Sequence, residues 1–164
     1  MVKPSSQHDN VVINVPFGAV GIHVKTDYVV GIELFSSQQE AREATSQFGQ
    51  YLAHQMHQYF QQANSKLDIP YALAGTPFQK RVWSAISDIP AGKVLTYSEL
   101  AQRIGSGPRA VANACGANKI PLLIPCHRVV PCHRVVAKKG LGGFMQGVEG
   151  GLKIKEWLLA HESK

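Results

Sequence analysis

A hexapeptide that occurs twice in succession constrains this chain more than any other feature of its sequence. The letters Pro-Cys-His-Arg-Val-Val fill residues 125–130 and again residues 131–136. An apolar run leads into the first copy, which predicts a buried strand that holds a thiol at the edge of a pocket. The thiolate is the reactive form of cysteine, so Cys126 and Cys132, each beside a His and an Arg, are candidate nucleophiles. The alternative is a buried structural cysteine with two solvated basic neighbours.

Composition limits the class of protein. The 164 residues are 45% hydrophobic and 17% charged, as in a globular chain that folds into one domain or two small ones. Three cysteines at spacings that suit no disulfide framework favour a reducing compartment. Residues 1–8 lack the apolar core of a signal peptide, and no apolar run approaches the roughly 20 residues of a membrane span. We therefore expect a soluble cytoplasmic protein, whose net charge of +6 permits a polyanionic partner without requiring one.

Apolar periodicity predicts a small antiparallel sheet followed by one helix in the first half. Residues 1–10 are polar and predicted to be loose. A strand is predicted over 11–15, and a period of two then predicts two more strands around a tight turn at Thr26-Asp27. From Gln38 to about Ala63 the period changes to three and four residues, which predicts an amphipathic helix packed on the sheet.

Two further features of the first half bear on function and on domain organisation. His54 and His57 lie three residues apart on the predicted helix, but no Cys or carboxylate nearby completes a metal set, so a surface helix face is preferred. Residues 64–75 lack periodicity and are interpreted as a linker. The chain is therefore divided into an N-terminal sheet-plus-helix domain, 1–70, and a C-terminal domain, 75–164.

Helix-capping signals organise the second half. Capping boxes at Thr76-Pro77-Phe78-Gln79 and Thr96-Tyr97-Ser98-Glu99 predict two helix starts. A glycine-containing break then precedes a third helix, from Pro108 to about Ala117, so that two short helices form a helix-turn-helix candidate. The second of them is built of small residues with Arg109 at its start, and it could approach a DNA backbone closely while reading few bases. The alternative is an alanine-rich helix packed in a core.

A last amphipathic helix is predicted over residues 150–162. Its expected apolar face consists of Leu152, Trp157, Leu158 and Leu159. Glu162 lies at its C-terminal end, where a carboxylate opposes the helix dipole. That position suggests a partner for Glu162, and a frayed, solvated terminus is the alternative.

From Thr76 to Glu162 the chain resembles the methylated-DNA–protein-cysteine methyltransferases, or O6-alkylguanine-DNA alkyltransferases. The string Pro-Cys-His-Arg-Val with an Asn eight residues before the Cys is highly specific, whereas the first half matches only loosely. The other matching segments are Thr76-Pro77-Phe78-Gln79 with Val82-Trp83, Ile89-Pro90-Ala91-Gly92-Lys93-Val94, Thr96-Tyr97, Arg109-Ala110-Val111, Ile120-Pro121, Leu141-Gly142-Gly143-Phe144 and Lys155-Glu156-Trp157-Leu158-Leu159.

The resemblance implies an α+β fold and a single-use repair reaction. The expected architecture is a small N-terminal ribonuclease-H-like α/β domain plus a C-terminal, mostly helical, winged-helix-like domain that carries a helix-turn-helix. The implied function is direct, irreversible transfer of an alkyl group, such as methyl, from O6-alkylguanine in double-stranded DNA to a cysteine; O4-alkylthymine is a further possible substrate. The target base would be flipped out of the duplex. No cofactor or metal is implied, and we expect a monomer with no membrane association.

Roles for individual residues follow from the same resemblance. Cys126 would attack the alkyl carbon, His127 would draw the thiol proton through a bridging water, and Glu162 would orient that His. Tyr97 would donate a hydrogen bond to guanine N3, and Asn118 would brace the link to the active-site strand. Arg128 is expected to pair with a carboxylate. The DNA-binding residues would be Thr96, Tyr97, Arg109, Ala110 and Ala112, and the alkyl pocket would be lined by Val129, Phe144 and Met145.

The chain departs from the family in carrying the hexapeptide twice. Spacing from Asn118 supports Cys126 as the nucleophile, whereas the short distance to the glycine-rich stretch supports Cys132, with His133 as its base. We choose Cys126, because lengthening a surface loop after the first copy costs little entropy, whereas slipping the buried strand by six residues displaces apolar side chains.

Three other functions stay open on the sequence. A non-catalytic relative would bind alkylated DNA, although the relatives of that kind lack the cysteine. A transcription regulator would use the helix-turn-helix, although the second helix is poor in base-reading side chains. A thiol hydrolase would turn over repeatedly, whereas the alkyl transferase would act once.

Overall fold

The computed structural model describes residues 8–130 and 151–163, and these form a mixed α/β fold. The chain divides into two compact units between Leu73 and Ala74. Phe144 and Met145, predicted for the alkyl pocket, lie outside the described residues, as do Cys132 and His133. Within the described ranges, no helix has both the length and the apolar character needed to cross a membrane.

Over residues 8–73, the first unit consists of a three-stranded antiparallel sheet with one helix. Strands β1 (His8–Val15), β2 (Gly18–Lys25) and β3 (Tyr28–Phe35) are hydrogen-bonded in the order β1-β2-β3. Helix α1 (Gln47–Gln61) contacts β1 and buries Leu52, Met56 and Tyr59. The predicted hairpin and the turn at Thr26-Asp27 are confirmed. His54 and His57 are exposed on α1, as expected.

Two predictions for this unit are wrong at their boundaries. Residues 8–10 belong to β1 and pair with β2, so they are not loose. The helix begins at Gln47 and not at Gln38, because the preceding segment follows the sheet instead. The backbone of Arg42 exchanges hydrogen bonds of 3.0 and 3.1 Å with Val12, and the Ser46 side chain then caps the helix by accepting from the Gly49 N–H at 2.9 Å.

In the part of the second unit that the structure describes, four helices pack around a short parallel strand pair. The helices are α2 (Pro77–Ser87), α3 (Tyr97–Ile104), α4 (Pro108–Gly116) and α5 (Gly151–Glu162). Strands β4 (Leu95–Thr96) and β5 (Val129–Val130) pair in parallel, which places the end of the first hexapeptide beside the start of α3. Trp83 anchors α2 to α4 by donating its indole N–H to the Ala114 carbonyl at 2.8 Å.

Both predicted capping boxes are present. Thr76 and Gln79 exchange hydrogen bonds of 3.0 and 3.1 Å at the start of α2, and Thr96 and Glu99 exchange bonds of 2.8 and 3.0 Å at the start of α3. These reciprocal bonds satisfy backbone donors that a first turn otherwise leaves open. Because Thr96 pairs with β5, the second capping box also fixes the position of Tyr97, the first residue of α3, beside that strand.

The apolar run before the first hexapeptide is a turn, so the prediction of a strand there is wrong. Leu122 adopts φ +78°, a conformation that is strained for a branched residue. Its side chain is only 3% exposed, and burying a leucine contributes about 1.5–3 kcal/mol, which offsets that strain. The Ile124 N–H closes the turn on the Ile120 carbonyl at 3.1 Å. The chain therefore reaches Cys126 through a tight, buried turn.

The buried face of α5 also differs from the predicted one. Leu152 is 49% exposed, while Trp157 and Leu159 are half-buried, so of the four predicted residues only Leu158 is fully buried. The face that packs inward carries polar groups among its apolar ones: Gly151, Ile154, Lys155, Leu158, His161 and Glu162. Helix α5 thus places charged side chains in the interior of the second unit.

Candidate active site

Cys126 is buried at the start of a 3-10 turn formed by residues 126–128, and Asn118 holds it there. The Asn118 amide nitrogen donates to the Ile124 carbonyl at 2.9 Å and lies 3.2 Å from Cys126 Sγ, where it also donates. The Asn118 side-chain oxygen accepts from the Ile120 N–H at 3.0 Å. One buried side chain therefore binds both ends of the turn and the sulfur itself.

His127 and Arg128 converge on Glu162. His127 Nε2 lies 2.8 Å from Glu162 Oε2, and both side chains are 1% exposed. The Arg128 guanidinium donates to both carboxylate oxygens at 2.8 Å and to the Ile89 carbonyl at 2.6 Å. This bidentate pair is the pairing expected for Arg128, and Glu162 is a buried partner in place of a frayed end.

Burial keeps His127 neutral. Desolvation lowers the pKa of His127, and the Arg128 and Lys155 cations lower it further, against the opposing effect of Glu162. A neutral imidazole beside a carboxylate can accept a proton, and the carboxylate then stabilises the imidazolium that forms. The geometry therefore gives His127 the properties of a general base.

The surroundings of Cys126 favour its thiolate. A hydrogen bond from the Cys115 side chain is the largest cause that lowers the pKa of Cys126, and burial opposes it. The Asn118 amide and the Lys155 ammonium lower that pKa further. Because two donors and a cation all favour the charged form, the net shift is downward and the sulfur is more nucleophilic at neutral pH.

Sequence reasoning missed Lys155 and Cys115. Lys155 is fully buried; its Nζ donates to the Val129 carbonyl at 2.7 Å and lies 5.8 Å from the centre of the Tyr97 ring. Burial lowers the pKa of Lys155 to about 8, against the effect of the two sulfurs. Cys115 had a weak signal, since it lies four residues after the buried Val111 on the same face of α4. Lys155 had none, because a lysine in a helix is normally expected at the surface.

The other predicted residues fall into two groups. Tyr97 begins α3 beside β5, and burial, followed by the charges of Cys115 and Cys126, raises its pKa, so its phenol keeps its proton. Val129 is buried, and its backbone binds Lys155. By contrast, Arg109 and Ala112 are exposed on α4, and Ala110 is half-buried. The structure thus gathers the predicted catalytic residues in one buried cluster and leaves a helix face of small residues and one arginine at the surface.

The arrangement supports nucleophilic chemistry at sulfur. In the two described ranges, no group of three or more His, Cys, Asp or Glu side chains could hold a metal ion. The cluster contains a favoured thiolate, a neutral base with its carboxylate, and a protonated phenol. These are the parts needed for a thiolate displacement in which a hydrogen-bond donor stabilises the leaving group.

Comparison with known families points to DNA repair proteins. The family described as 6-O-methylguanine DNA methyltransferase, DNA binding domain, matches residues 77–130 and 129–164. Each matched segment contains one copy of the hexapeptide, and the boundary between them falls at the junction of the copies. Each copy of the hexapeptide therefore falls in a different matched segment, and no single matched segment contains both copies.

Individual relatives carry the corresponding names. The methylated-DNA–protein-cysteine methyltransferase of Methanosarcina acetivorans is 36% identical over 152 residues, covering 92% of this chain and 83% of that protein. A probable enzyme of the same name from Acanthamoeba polyphaga mimivirus is 46% identical over 112 residues, covering 66% of this chain and 68% of that protein. For the Shigella flexneri relative, 41% identical, the match spans only 61% of its length.

Solved structures agree with these names. The O6-methylguanine methyltransferase of Mycobacterium tuberculosis is 28% identical, with a TM-score of 0.74 and coverage of 95% of this chain and 93% of that one. The structure of the Mycobacterium tuberculosis protein OGT in complex with DNA is 30% identical, with a TM-score of 0.71 and coverage of 93% and 91%. The similarity thus extends over both units.

Proposed function

Because the chain belongs to the methylated-DNA–protein-cysteine methyltransferase family, we propose that it repairs DNA by moving an alkyl group from guanine O6 to Cys126, once per molecule. The observation that carries the proposal is the buried Cys126 sulfur, which accepts a hydrogen bond from the Asn118 amide beside the His127–Glu162 pair. The reducing cytoplasm is the proposed location, since the reaction needs a free thiol.

The chemical step is a single displacement at the alkyl carbon. His127 takes the Cys126 proton through a bridging water, and Glu162 stabilises the charge that the imidazole gains. As the carbon–sulfur bond forms, the bond from the alkyl carbon to guanine O6 breaks and its electron pair passes to the purine. The Tyr97 phenol donates a hydrogen bond to guanine N3 and offsets that charge. The product is a thioether, which water does not displace, so the thiol is not regenerated.

The exposed face of α4 is proposed to bind DNA. Helices α3 and α4 are joined by three residues, and we assign them as a helix-turn-helix within a winged-helix-like unit; the first unit is assigned as ribonuclease-H-like. Ala110 and Ala112 are small enough for the helix to approach the minor groove closely, and Thr96 and Tyr97 lie at the start of α3. Arg109, exposed in the first turn of α4, takes the place of the extruded base in the stack.

Cys126 is preferred to Cys132 because the first copy makes the contacts that activate a thiol. Asn118 binds Ile124 and Cys126 across six and eight residues, and His127 and Arg128 of the same copy pair with Glu162. Slipping the second copy into this position would break the Asn118 turn. By contrast, an insertion of six residues after the first copy would cost little entropy, since the entropy of loop closure grows slowly with loop length.

The test is transfer of a labelled methyl group from a duplex that contains one O6-methylguanine. With DNA in excess, we expect at most one methyl group per protein. Trypsin separates the two candidates, since Cys126 falls in residues 120–128 and Cys132 in residues 129–134. The label should be in the first peptide, Cys126→Ser should abolish transfer, and Cys132→Ser should retain most of it.

The same experiment distinguishes the alternatives. Repeated turnover would indicate a thiol hydrolase, and binding of the methylated duplex without transfer would indicate a non-catalytic relative or a regulator. Label in residues 129–134 of the unmutated protein would reverse the choice of nucleophile and move the role of base to His133.

A further inference from the structure

A second thiol lies against the nucleophile, and alkyl transfer does not consume it. Cys115 occupies the last turn of α4 and Cys126 begins the 3-10 turn, so the two arrive from separate segments of the chain. The Cys126 thiol donates to the Cys115 backbone oxygen at a sulfur–oxygen distance of 3.7 Å, and the interaction with the Cys115 side chain is the largest cause that lowers the pKa of Cys126. Both are free cysteines. The Cys126 sulfur therefore lies against the Cys115 residue, and a disulfide would form if the two sulfurs approached to the bonding distance of about 2.05 Å.

We propose that Cys115 and Cys126 form a modification site at which a hydroperoxide converts the two thiols into a reversible disulfide. The proposal does not depend on alkyl transfer, because it requires only the two sulfurs and their neighbours. It assigns Cys115 as the resolving thiol and Cys126 as the thiol that reacts first. The disulfide would block the proposed repair reaction until a reductant restores the thiols.

The first step uses the nucleophilicity of Cys126. Its thiolate attacks one oxygen of the hydroperoxide, the oxygen–oxygen bond breaks, and the departing hydroxide or alkoxide takes a proton. Cys126 becomes a sulfenic acid. Thiolate character is one of the two determinants of susceptibility to this oxidation, access being the other, and the hydrogen bonds from Asn118 and Cys115 together with the Lys155 ammonium supply that character.

The second step becomes possible because the first removes a charge. The hydrogen bond to Cys126 is the largest cause that raises the pKa of Cys115, and burial and the charge of Cys126 add to it. Once Cys126 is a neutral sulfenic acid, the effects that arise from its charge disappear, while the Lys155 ammonium continues to favour the Cys115 thiolate. Cys115 then attacks the Cys126 sulfur; the sulfur–sulfur bond forms and the sulfur–oxygen bond breaks. The hydroxide leaves as water with the Cys115 proton.

This order protects the nucleophile from irreversible damage. A sulfenic acid that is not captured reacts with more peroxide to a sulfinic acid, which thiol reductants do not reverse. Because Cys115 lies next to Cys126, its attack on the sulfenic acid competes directly with the oxidation of that sulfenic acid to a sulfinic acid. The net change is two thiols and one hydroperoxide to one disulfide, one water, and one alcohol or second water.

The sequence provides a direct assay, because trypsin places the three cysteines in three separate peptides. Cys115 falls in residues 110–119, Cys126 in residues 120–128 and Cys132 in residues 129–134. The full-length protein would be treated with hydrogen peroxide, unfolded in a thiol-blocking reagent, digested without reductant and analysed by mass spectrometry. We expect peptide 110–119 linked to peptide 120–128, and complete release of the link by dithiothreitol.

Two matched variants refine the assay. Cys132→Ser should retain the link, since Cys132 takes no part in it. Cys115→Ser should lose the link, and its Cys126 peptide should accumulate as the sulfinic acid, so that dithiothreitol no longer restores the thiol. Three results in the unmutated protein would overturn the proposal: a link from peptide 120–128 to peptide 129–134, a sulfinic acid at Cys126 with Cys115 still blocked by the reagent, or both thiols blocked after peroxide treatment. None of these readouts measures alkyl transfer, so the proposed function is tested separately.

Discussion

At the level of single residues, the site depends on charges that have been removed from water. Lys155 is fully buried, and its ammonium is held by one carbonyl while it faces two sulfurs. Its pKa of about 8 means that it is still mostly charged at neutral pH. Lys155 therefore favours the Cys126 thiolate in the pH range where the reaction is needed, and loses that effect in alkaline solution.

The first prediction concerns Lys155→Met, which keeps most of the side-chain volume and removes the charge. Reaction with free O6-benzylguanine should follow the fraction of Cys126 thiolate as pH rises. Without the ammonium, one of the causes that lower the pKa of Cys126 is gone, so the midpoint of the pH–rate curve should move to higher pH. The rates of the two proteins should converge above pH 8, where Lys155 itself loses its proton.

Lys153→Met is the control for that experiment, because Lys153 is exposed on the same helix. Its midpoint should equal that of the unmutated protein. Equal midpoints for all three proteins would show that Lys155 does not act on the sulfur.

The second prediction concerns Glu162→Gln, which leaves Arg128 without its bidentate partner. Removing one member of a buried ion pair leaves an uncompensated charge and costs about 3–5 kcal/mol. We expect the free energy of unfolding in urea at pH 7 to fall by about 3 kcal/mol. Glu156→Gln, at an exposed position on α5, should change it by less than about 0.5 kcal/mol. Similar losses in the two variants would contradict the role of the buried pair.

Sequence reasoning at this scale could name residues with a distinctive motif but not those without one. Cys126, His127 and Asn118 stand in a highly specific string and lie together in the structure. Lys155 and Cys115 carry no such string, and a lysine in a helix is normally expected at the surface. Their importance arises from burial next to Cys126, which is a property of the packing and not of local sequence.

At the level of secondary-structure elements, α3 and α4 present the proposed DNA surface. Three residues connect them, and α4 keeps Val111 and Ala114 in the core while Arg109 and Ala112 face solvent. The interpretation as a core helix is therefore confirmed for the buried face, and the interpretation as a DNA-binding helix stays a prediction for the exposed face. The buried side fixes the helix, and the exposed side is left available for a partner.

The third prediction separates base extrusion from chemistry at this element. Arg109→Ala should slow repair of duplex O6-methylguanine by about tenfold or more, since extrusion costs a few kcal/mol and each factor of ten corresponds to about 1.4 kcal/mol. Reaction with free O6-benzylguanine, which needs no extrusion, should be nearly unchanged. Arg42→Ala, an exposed arginine in the first unit, should leave both rates unchanged. Equal losses on the two substrates would refute the role of Arg109.

Elements with local start signals were predicted well, and elements defined by distant contacts were not. The capping boxes located the first residues of α2 and α3 because the bonds that begin those helices are local. The start of α1 was placed too early, because Arg42 pairs with a distant strand. The inward face of α5 was misjudged for a related reason: the buried partners of Lys155 and Glu162 lie more than twenty residues away in sequence.

At the level of the whole molecule, the positive net charge determines how strongly the affinity for DNA depends on salt. The chain carries 17 Lys and Arg against 11 Asp and Glu. Basic side chains that contact phosphates release counterions, and the affinity that results weakens steeply with salt. This effect is independent of the alkyl group and of the sequence of the DNA.

The fourth prediction follows from that charge. Raising salt from about 50 to about 200 mM should weaken binding to duplex DNA, with a linear relation between the logarithms of affinity and salt concentration. Reaction with free O6-benzylguanine should change little over the same range, because that substrate carries no phosphate. A repair rate on duplex DNA that is insensitive to salt at subsaturating protein would contradict phosphate-dominated binding.

The placement of Lys155 and Glu162 on α5 has a consequence for protein synthesis. The ribosome makes Cys126 before it makes α5, so a nascent chain exposes the thiol before the cation and the carboxylate are available. Until α5 docks, the thiol lacks the Lys155 ammonium that lowers its pKa, and His127 lacks the Glu162 carboxylate. A prematurely terminated chain that lacks α5 would therefore contain the cysteine without two of the groups that support its reactivity.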